Sequence, residues 1–148
     1  MSDVETDLVK GLAAHLAAAS VGTYRATGTY LASETAIVFG QLPTTPDRCI
    51  AITVYGAPDD EAVTPLSKLR VQFWCRGNAN DTLDAGELAG AVFALLHGAT
   101  YLTFGQANVA QILRVSRVTL GQDQNKRQER ADSYELTVDF PATAGRPG

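Results

Sequence analysis

Residues 68–76 read KLRVQFWCR and alternate strictly between polar and apolar side chains. Successive side chains of a strand point to opposite faces, so this pattern predicts a two-faced strand with Val71 and Phe73 against a core. The other face combines arginine with an aromatic anchor, a composition typical of protein interfaces. The residues of this predicted contact face are Arg70, Trp74 and Arg76.

Residues 134–140, YELTVDF, form a second strictly alternating segment. Its apolar positions also require a covered face, and we expect both strands to lie in one sheet. Phe73 and Leu136 should then face the helices of the domain. A charge at Phe73 should unfold the protein.

Two segments have helical periodicity. Residues 3–19 repeat apolar side chains at helical spacing, which predicts an amphipathic helix that ends near Gly22. A second helix follows Asp81, which we expect to act as its N-cap, and Gly98 provides a C-terminal stop. Strands are expected at residues 23–31, 37–39, 50–55, 101–104 and 109–120.

The order of these elements has no regular strand–helix alternation and no repeat. It predicts an α+β fold, with a mainly antiparallel sheet and two helices packed on one face. The 148 residues fit one domain over residues 1–148, with a loose tail after residue 141.

Residues 121–133 lie between two predicted strands and are strongly polar. We expect a long loop here, mobile in the free subunit and ordered on assembly. Its predicted contact residues are Gln122, Asp123, Lys126, Arg127 and Arg130. Reversing the charges of Arg127 and Arg130 should impair assembly and leave folding nearly intact, because exposed charges contribute little to stability.

Charge is distributed unevenly along the chain. The formal net charge of -4 disfavours general attraction to nucleic acid. A cationic region nevertheless spans residues 114–130, to which Arg114 and Arg117 also belong, and Asp59, Asp60 and Glu61 form an acidic run elsewhere. Opposite patches on different surfaces can join copies of one chain.

No pattern in the sequence specifies a reaction. Cys49 and Cys75 could pair with His15 or His97 as nucleophile and base, but Cys75 falls on the apolar face of its strand. The cysteines and histidines also lack the spacing of a zinc site, and Gly121 does not begin a phosphate-binding motif. We therefore predict no catalytic, metal or cofactor site. The acidic N-terminus and the lack of a long apolar run predict synthesis in the cytoplasm and no membrane partner.

Several segments together resemble the tail terminator proteins of long-tailed bacteriophages, which are often labelled minor capsid proteins. The segments that carry the resemblance are RVQFWCRG at residues 70–77, the following helix with its acidic cap, LGQD at residues 120–123, Arg127, Arg130, and DSYEL at residues 132–136.

The resemblance implies a small non-enzymatic virion protein made in the host bacterial cytoplasm. Such proteins form a homohexameric ring at the head-proximal end of the tail tube, stop tube polymerisation and present a docking face to the head connector or stopper protein. DNA would pass through the lumen without specific binding. Three alternatives stay open: another head–tail joining or tail-completion protein, a small enzyme or ligand-binding domain, and a nucleic-acid-binding module.

Overall fold

The computed structural model describes residues 4–55 and 66–139. The elements in chain order are α1 (Val4–Ala18), β1 (Thr23–Tyr24), β2 (Ala36–Phe39), β3 (Cys49–Tyr55), β4 (Leu66–Ala79), α2 (Asp84–Leu96), β5 (Thr100–Phe104), β6 (Ala107–Gln122) and β7 (Arg127–Asp139). The acidic run 59–61 and the tail after residue 141 lie outside the described residues.

The seven strands form one sheet in the order β1-β2-β3-β4-β7-β6-β5. β1, β2 and β3 pair in parallel, and every other neighbouring pair is antiparallel. The architecture is a single α+β domain with a mostly antiparallel sheet, which confirms the predicted fold class.

β4 and β7 lie in the same sheet, as their alternation predicted, and within it they are direct neighbours. Leu69 pairs with Leu136, and Val71 pairs with Tyr134. Phe73 and Leu136 are fully buried and belong to the same core cluster as both helices. The alternating segments therefore place their apolar side chains on the helix-covered face.

Both predicted helices are present, and only the N-cap of the second differs from the prediction. α1 ends at Ala18, within one residue of the predicted 3–19, and Ser20 then turns the chain with a positive φ of 63°. α2 ends at Leu96, and Gly98 follows it with a φ of 85°, as predicted. Leu83, not Asp81, occupies the N-cap of α2. Asp81 instead accepts a hydrogen bond from the Leu83 N–H at 3.2 Å. No helix among the described residues is long and apolar enough to cross a membrane.

The predicted loop over residues 121–133 is wrong. β6 continues to Gln122 and β7 begins at Arg127, so only four residues connect the strands. Lys126 adopts a φ of 62°, and the Asp123 carboxylate accepts the N–H groups of Asn125 and Arg127, both at 2.9 Å. These hydrogen bonds from the backbone to the Asp123 side chain close a tight hairpin.

The strand predicted over residues 23–31 is also shorter than expected, because only Thr23–Tyr24 forms a strand.

Candidate functional site

The β6–β7 hairpin has one half inside the sheet and one half with an open edge. β5 pairs with β6 only between Ala107 and Gln111. The edge is then completed by backbone bonds between Ile112 and residues 98–99, and by His97 Nδ1, which accepts the Arg114 N–H at 3.0 Å. Beyond Arg114, no strand of the described residues lies along the outer edge of β6.

Large apolar side chains are exposed along this open half. Val115, Val118 and Leu120 are 43%, 50% and 45% exposed. Val118 lies opposite Ala131 on the helix-free face, whereas the register shifts at Val115 and Leu120, which marks a β-bulge at each. An exposed apolar edge offers unpaired N–H and C=O groups to another chain. We therefore take residues 115–122, named here the open edge, as the candidate contact site.

Two cations of the hairpin have free side chains. Arg117 and Lys126 are exposed, and their side chains make no hydrogen bond or ion pair with the part of the chain that the structure describes. Gln122 is likewise exposed at the end of β6. Positive charge that is available to a partner therefore lies within the open edge, at Arg117, and next to it, at Lys126.

Other predicted contact cations are neutralised within the subunit. Arg130 donates two hydrogen bonds to the buried carboxylate of Asp132, at 2.8 and 3.0 Å, and these bonds raise the pKa of Arg130. Arg114 approaches the same carboxylate at 3.5 Å and stacks over the ring of Phe93 at 4.0 Å. Both arginines therefore stabilise the polar residues of β7, and Arg114 also joins the hairpin to Phe93 of α2.

Arg127 is buried at the base of the turn, contrary to the expectation that it is exposed. Its side chain is 6% exposed and donates to Asp123 at 2.8 Å, to Asp47 at 3.1 Å and to the Thr44 carbonyl at 2.7 Å. Burial acts to raise the pKa of Asp123, but hydrogen bonds from Arg127 and Asn125 outweigh burial and lower it. Arg127 therefore holds the hairpin against the segment before β3.

The predicted contact face of β4 is also partly engaged. Arg70 forms an ion pair with Glu135 at 3.1 Å, and Trp74 Nε1 donates to Glu129 at 2.8 Å. Arg76 is only 3% exposed, because it donates to backbone carbonyls of the segment before β3. These acceptors are Pro43, Pro46 and Asp47, at 2.6, 2.8 and 2.7 Å.

An open groove of about 510 Å³ lies beside Trp74 on this face. It is lined by Gly40, Gln41, Leu42, Trp74, Arg76 and Glu129. The lining residues include neither cysteine nor histidine. The groove therefore lacks the nucleophile and the base that the enzyme alternative required.

The thiols and imidazoles have separate neighbours. Burial raises the pKa of Cys49 to about 11, although Arg76 opposes the shift, and its sulfur faces the Pro46 and Asp47 carbonyls. Burial also raises the pKa of Cys75. His15 packs against Phe104, and His97 stacks on Phe93 at 4.5 Å. Within residues 4–55 and 66–139, no three His, Cys, Asp or Glu side chains cluster as metal ligands.

Sequence reasoning missed the apolar part of the open edge. Residues 109–120 were expected to form a strand, but no contact role was given to Val115, Val118 or Leu120. A signal was present, because these three residues do not follow a two-residue period and cannot all lie on one buried face. The number of strands that flank β6 is a tertiary property that the pattern does not contain.

Comparison with known proteins gives a family and a fold. The profile of the family described as bacteriophage tail terminator protein matches residues 15–140. A chain from a solved structure titled "Virion of native gene transfer agent (GTA) particle" has a TM-score of 0.63 and 14% sequence identity, over 94% of this chain and 99% of that chain. At that identity the likeness concerns the fold alone. No curated protein sequence matches. Since the family profile spans well over half of its length, the chain belongs to the bacteriophage tail terminator protein family.

Proposed function

We propose that this protein forms a ring at the head-proximal end of a phage tail tube, ends tube polymerisation and joins the tail to the head connector. As a member of the tail terminator family it is a structural component of the virion tail. The open edge of β6 is the observation that carries the proposal, because this stretch of exposed apolar strand needs a protein partner to cover it.

The role is one of contact and not of catalysis. The charged groups of the hairpin are arranged to hold a strand pair in shape, through Asp132 with Arg130 and Asp123 with Arg127. A contact surface that is ordered before binding loses less conformational entropy on association. The hairpin can therefore dock as a rigid element.

A ring requires a head-to-tail contact between different surfaces of identical subunits. The open edge supplies one surface, and a tube or connector protein would bind others. DNA would pass through the ring without specific binding, and the formal net charge of -4 is consistent with weak attraction to DNA.

The proposal is tested by complementation of phage particles that lack the protein. Val118→Asp places a charge on the open edge, whereas Leu31→Asp changes another exposed apolar side chain, 65% exposed, far from the hairpin in sequence. We expect the wild type and Leu31→Asp to restore infectious particles with normal-length tails. Val118→Asp should give tails of abnormal length, with unchanged thermal melting of the purified protein.

The same particles separate the remaining alternatives. Normal-length tails that fail to attach to heads in the absence of the protein would indicate another head–tail joining or completion protein. Normal tails and normal attachment without the protein would refute a structural role. Full complementation by Val118→Asp would exclude the open edge as the site.

A further inference from the structure

We propose that two copies of the free protein pair through a stepped edge of the sheet, with β5 of each copy lying along the open edge of the other. The edge is stepped because β5 adds one strand beside residues 107–111 of β6 and ends before the open edge begins. The dimer is a state of the subunit before assembly, and the observations that support it do not depend on the proposed ring.

The step has a self-complementary shape. Among the described strands β5 is the last of the sheet and pairs only with β6, so its outer edge is free. A two-fold axis through the step, perpendicular to the sheet, places the protruding strand of each copy in the recess of the other, so that both copies use the same surface. The five residues of β5 need about 17 Å, and the open edge at 115–122 offers about 26 Å, at ~3.3 Å per residue. The strand therefore fits the recess.

Exposed apolar side chains of the two strands come to lie on the same face. Leu102 and Phe104 pack against the core, so the alternate residue Tyr101 faces the helix-free side, where it is 87% exposed. Tyr101 also holds a positive φ of 57°, a conformation that is unfavourable for a residue with a side chain and that clusters at functional sites. Val118 is half-exposed on the same side of the open edge. The added strand therefore covers Val118 with a tyrosine, a residue type that is enriched at contact hot spots.

The direction of the added strand brings unpaired opposite charges together. β5 runs antiparallel to its own β6, so the two-fold axis makes it parallel to β6 of the other copy. The turn after β5 then lies next to the β6–β7 turn that carries Lys126. Asp7 in the first turn of α1 accepts the Gln106 N–H at 2.9 Å, which holds that helix end, with the exposed Glu5, at the turn after β5. Neither Glu5 nor Lys126 forms an ion pair within residues 4–55 and 66–139, and the dimer places one such pair at each end of the contact.

The step also keeps like charges apart. Direct pairing of two open edges would place Arg117 of both copies on neighbouring strands, whose spacing is about 4.8 Å. In the stepped arrangement a β5 strand lies between the two β6 strands, so the Arg117 residues are separated by at least about 10 Å, which is the Debye length at ~0.1 M salt. Charge therefore favours the stepped pairing over the direct one.

The contact is small. Two additions of a five-residue strand belong with transient interfaces, which bury less than about 1,200 Å² in total. We therefore expect a dimer that forms at high protein concentration and dissociates readily. A subunit would leave this dimer before it joins a tail, because the proposed ring uses the same open edge, and this last step rests on the proposed function.

The test is the monomer–dimer equilibrium of the purified full-length protein, measured by sedimentation equilibrium up to ~1 mM. Glu5→Lys and Lys126→Glu each replace an attraction with a repulsion at both ends of the contact. Glu87→Lys is the matched control for Glu5→Lys, because Glu87 is an exposed acid of α2 and the change in charge is the same. Hydrogen exchange reports strand addition directly, and melting temperatures verify that all variants fold.

The wild type should form dimers, and residues 100–104 and 115–122 should exchange more slowly as the dimer forms. Glu5→Lys and Lys126→Glu should each weaken dimerisation at least about threefold, whereas Glu87→Lys should not. An equal mixture of the two weakened chains should recover wild-type strength, since a dimer of one with the other has opposite charges at both ends. A single chain with both changes should recover for the same reason.

A protein that stays monomeric at ~1 mM would overturn the proposal. So would a dimer that Glu87→Lys weakens as much as Glu5→Lys does, a mixture that fails to recover, or a dimer in which exchange at residues 115–122 is unchanged. Tail length in complemented particles tests the ring separately. Failure of the dimer and failure of the proposed function are therefore distinguishable.

Discussion

The inner and outer halves of the β6–β7 hairpin belong to the same ladder but have different surroundings. In the inner half, Ile112 and Leu136 are fully buried under the helices, and β5 covers the edge. In the outer half, residues 115–120 of β6 are exposed on both faces. The difference indicates that folding stability comes mainly from the inner half, while the outer half is available for contact.

The outer half is ordered by polar contacts in place of a core. Asp132 forms ion pairs with Arg130 and Arg114, and Arg127 forms ion pairs with both Asp123 and Asp47. Fully paired buried charges cost little once their hydrogen bonds are complete, whereas removal of one partner is strongly destabilising. The hairpin therefore keeps its shape while its apolar edge stays open.

The largest expected effect separates the core from the open edge. Phe73→Asp buries a charge beside Tyr134, whose ring packs on Phe73 at 5.3 Å. The cost should be several kcal/mol, against a total stability of about 5–15 kcal/mol. The matched change Val118→Asp should alter the free energy of unfolding by less than about 0.5 kcal/mol. Chemical denaturation measures the free energy of unfolding of both variants. Similar destabilisation by the two changes would contradict the distinction between the core and the open edge.

A second comparison lies within the turn, between neighbouring cations. Arg127→Glu places a carboxylate against Asp47 and Asp123 and should destabilise the protein by about 3–5 kcal/mol. Lys126→Glu changes an exposed side chain and should leave stability nearly unchanged. Urea unfolding followed by circular dichroism checks both. Equal stabilities would mean that the buried network of Arg127 contributes nothing to the fold.

That pair also revises the expectation drawn from the sequence for Arg127 and Arg130. Both were treated as exposed arm residues whose reversal spares folding. The structure instead places Arg127 in a buried network and Arg130 on the Asp132 carboxylate. A joint reversal is now expected to destabilise the protein. Their role in assembly stays a prediction.

The parts of the fold that were predictable have a local periodic cause. β4 alternates, and the apolar spacing of Leu8, Leu12 and Leu16 matches one helix face, so side-chain pattern alone identified these elements. Residues 127–133 could not be assigned in the same way. Arg127 and Asp132 are buried and pair with Asp47 and Arg114, which are distant in sequence, and a sequence pattern does not report such partners.

The contact site was only half predictable for a related reason. Charge composition pointed to residues 114–130, but the division between engaged and free cations depends on tertiary neighbours. Arg114 stacks on the ring of Phe93 and forms an ion pair with Asp132. Arg117, three residues later, forms no ion pair with an acid among the described residues. Spacing alone could not distinguish them.

The smallest expected effect concerns acid, and it tests whether the turn carboxylate is as closely held as its contacts indicate. Hydrogen bonds from Arg127 and Asn125 outweigh the effect of burial and lower the pKa of Asp123 below its ordinary value of 3.8. A carboxyl group whose pKa is lower in the folded protein stabilises the fold at any pH above its unfolded pKa, and this stabilisation is lost as pH falls through the folded pKa.

The free energy of unfolding of the wild type should therefore exceed that of Asp123→Asn by a constant ~0.5–1.5 kcal/mol from about pH 5 to pH 7. The difference should shrink below about pH 3.8. Urea titrations of both proteins at several pH values provide the measurement. A difference that persists undiminished at pH 2 would show that the ionised form of Asp123 is not what secures the turn.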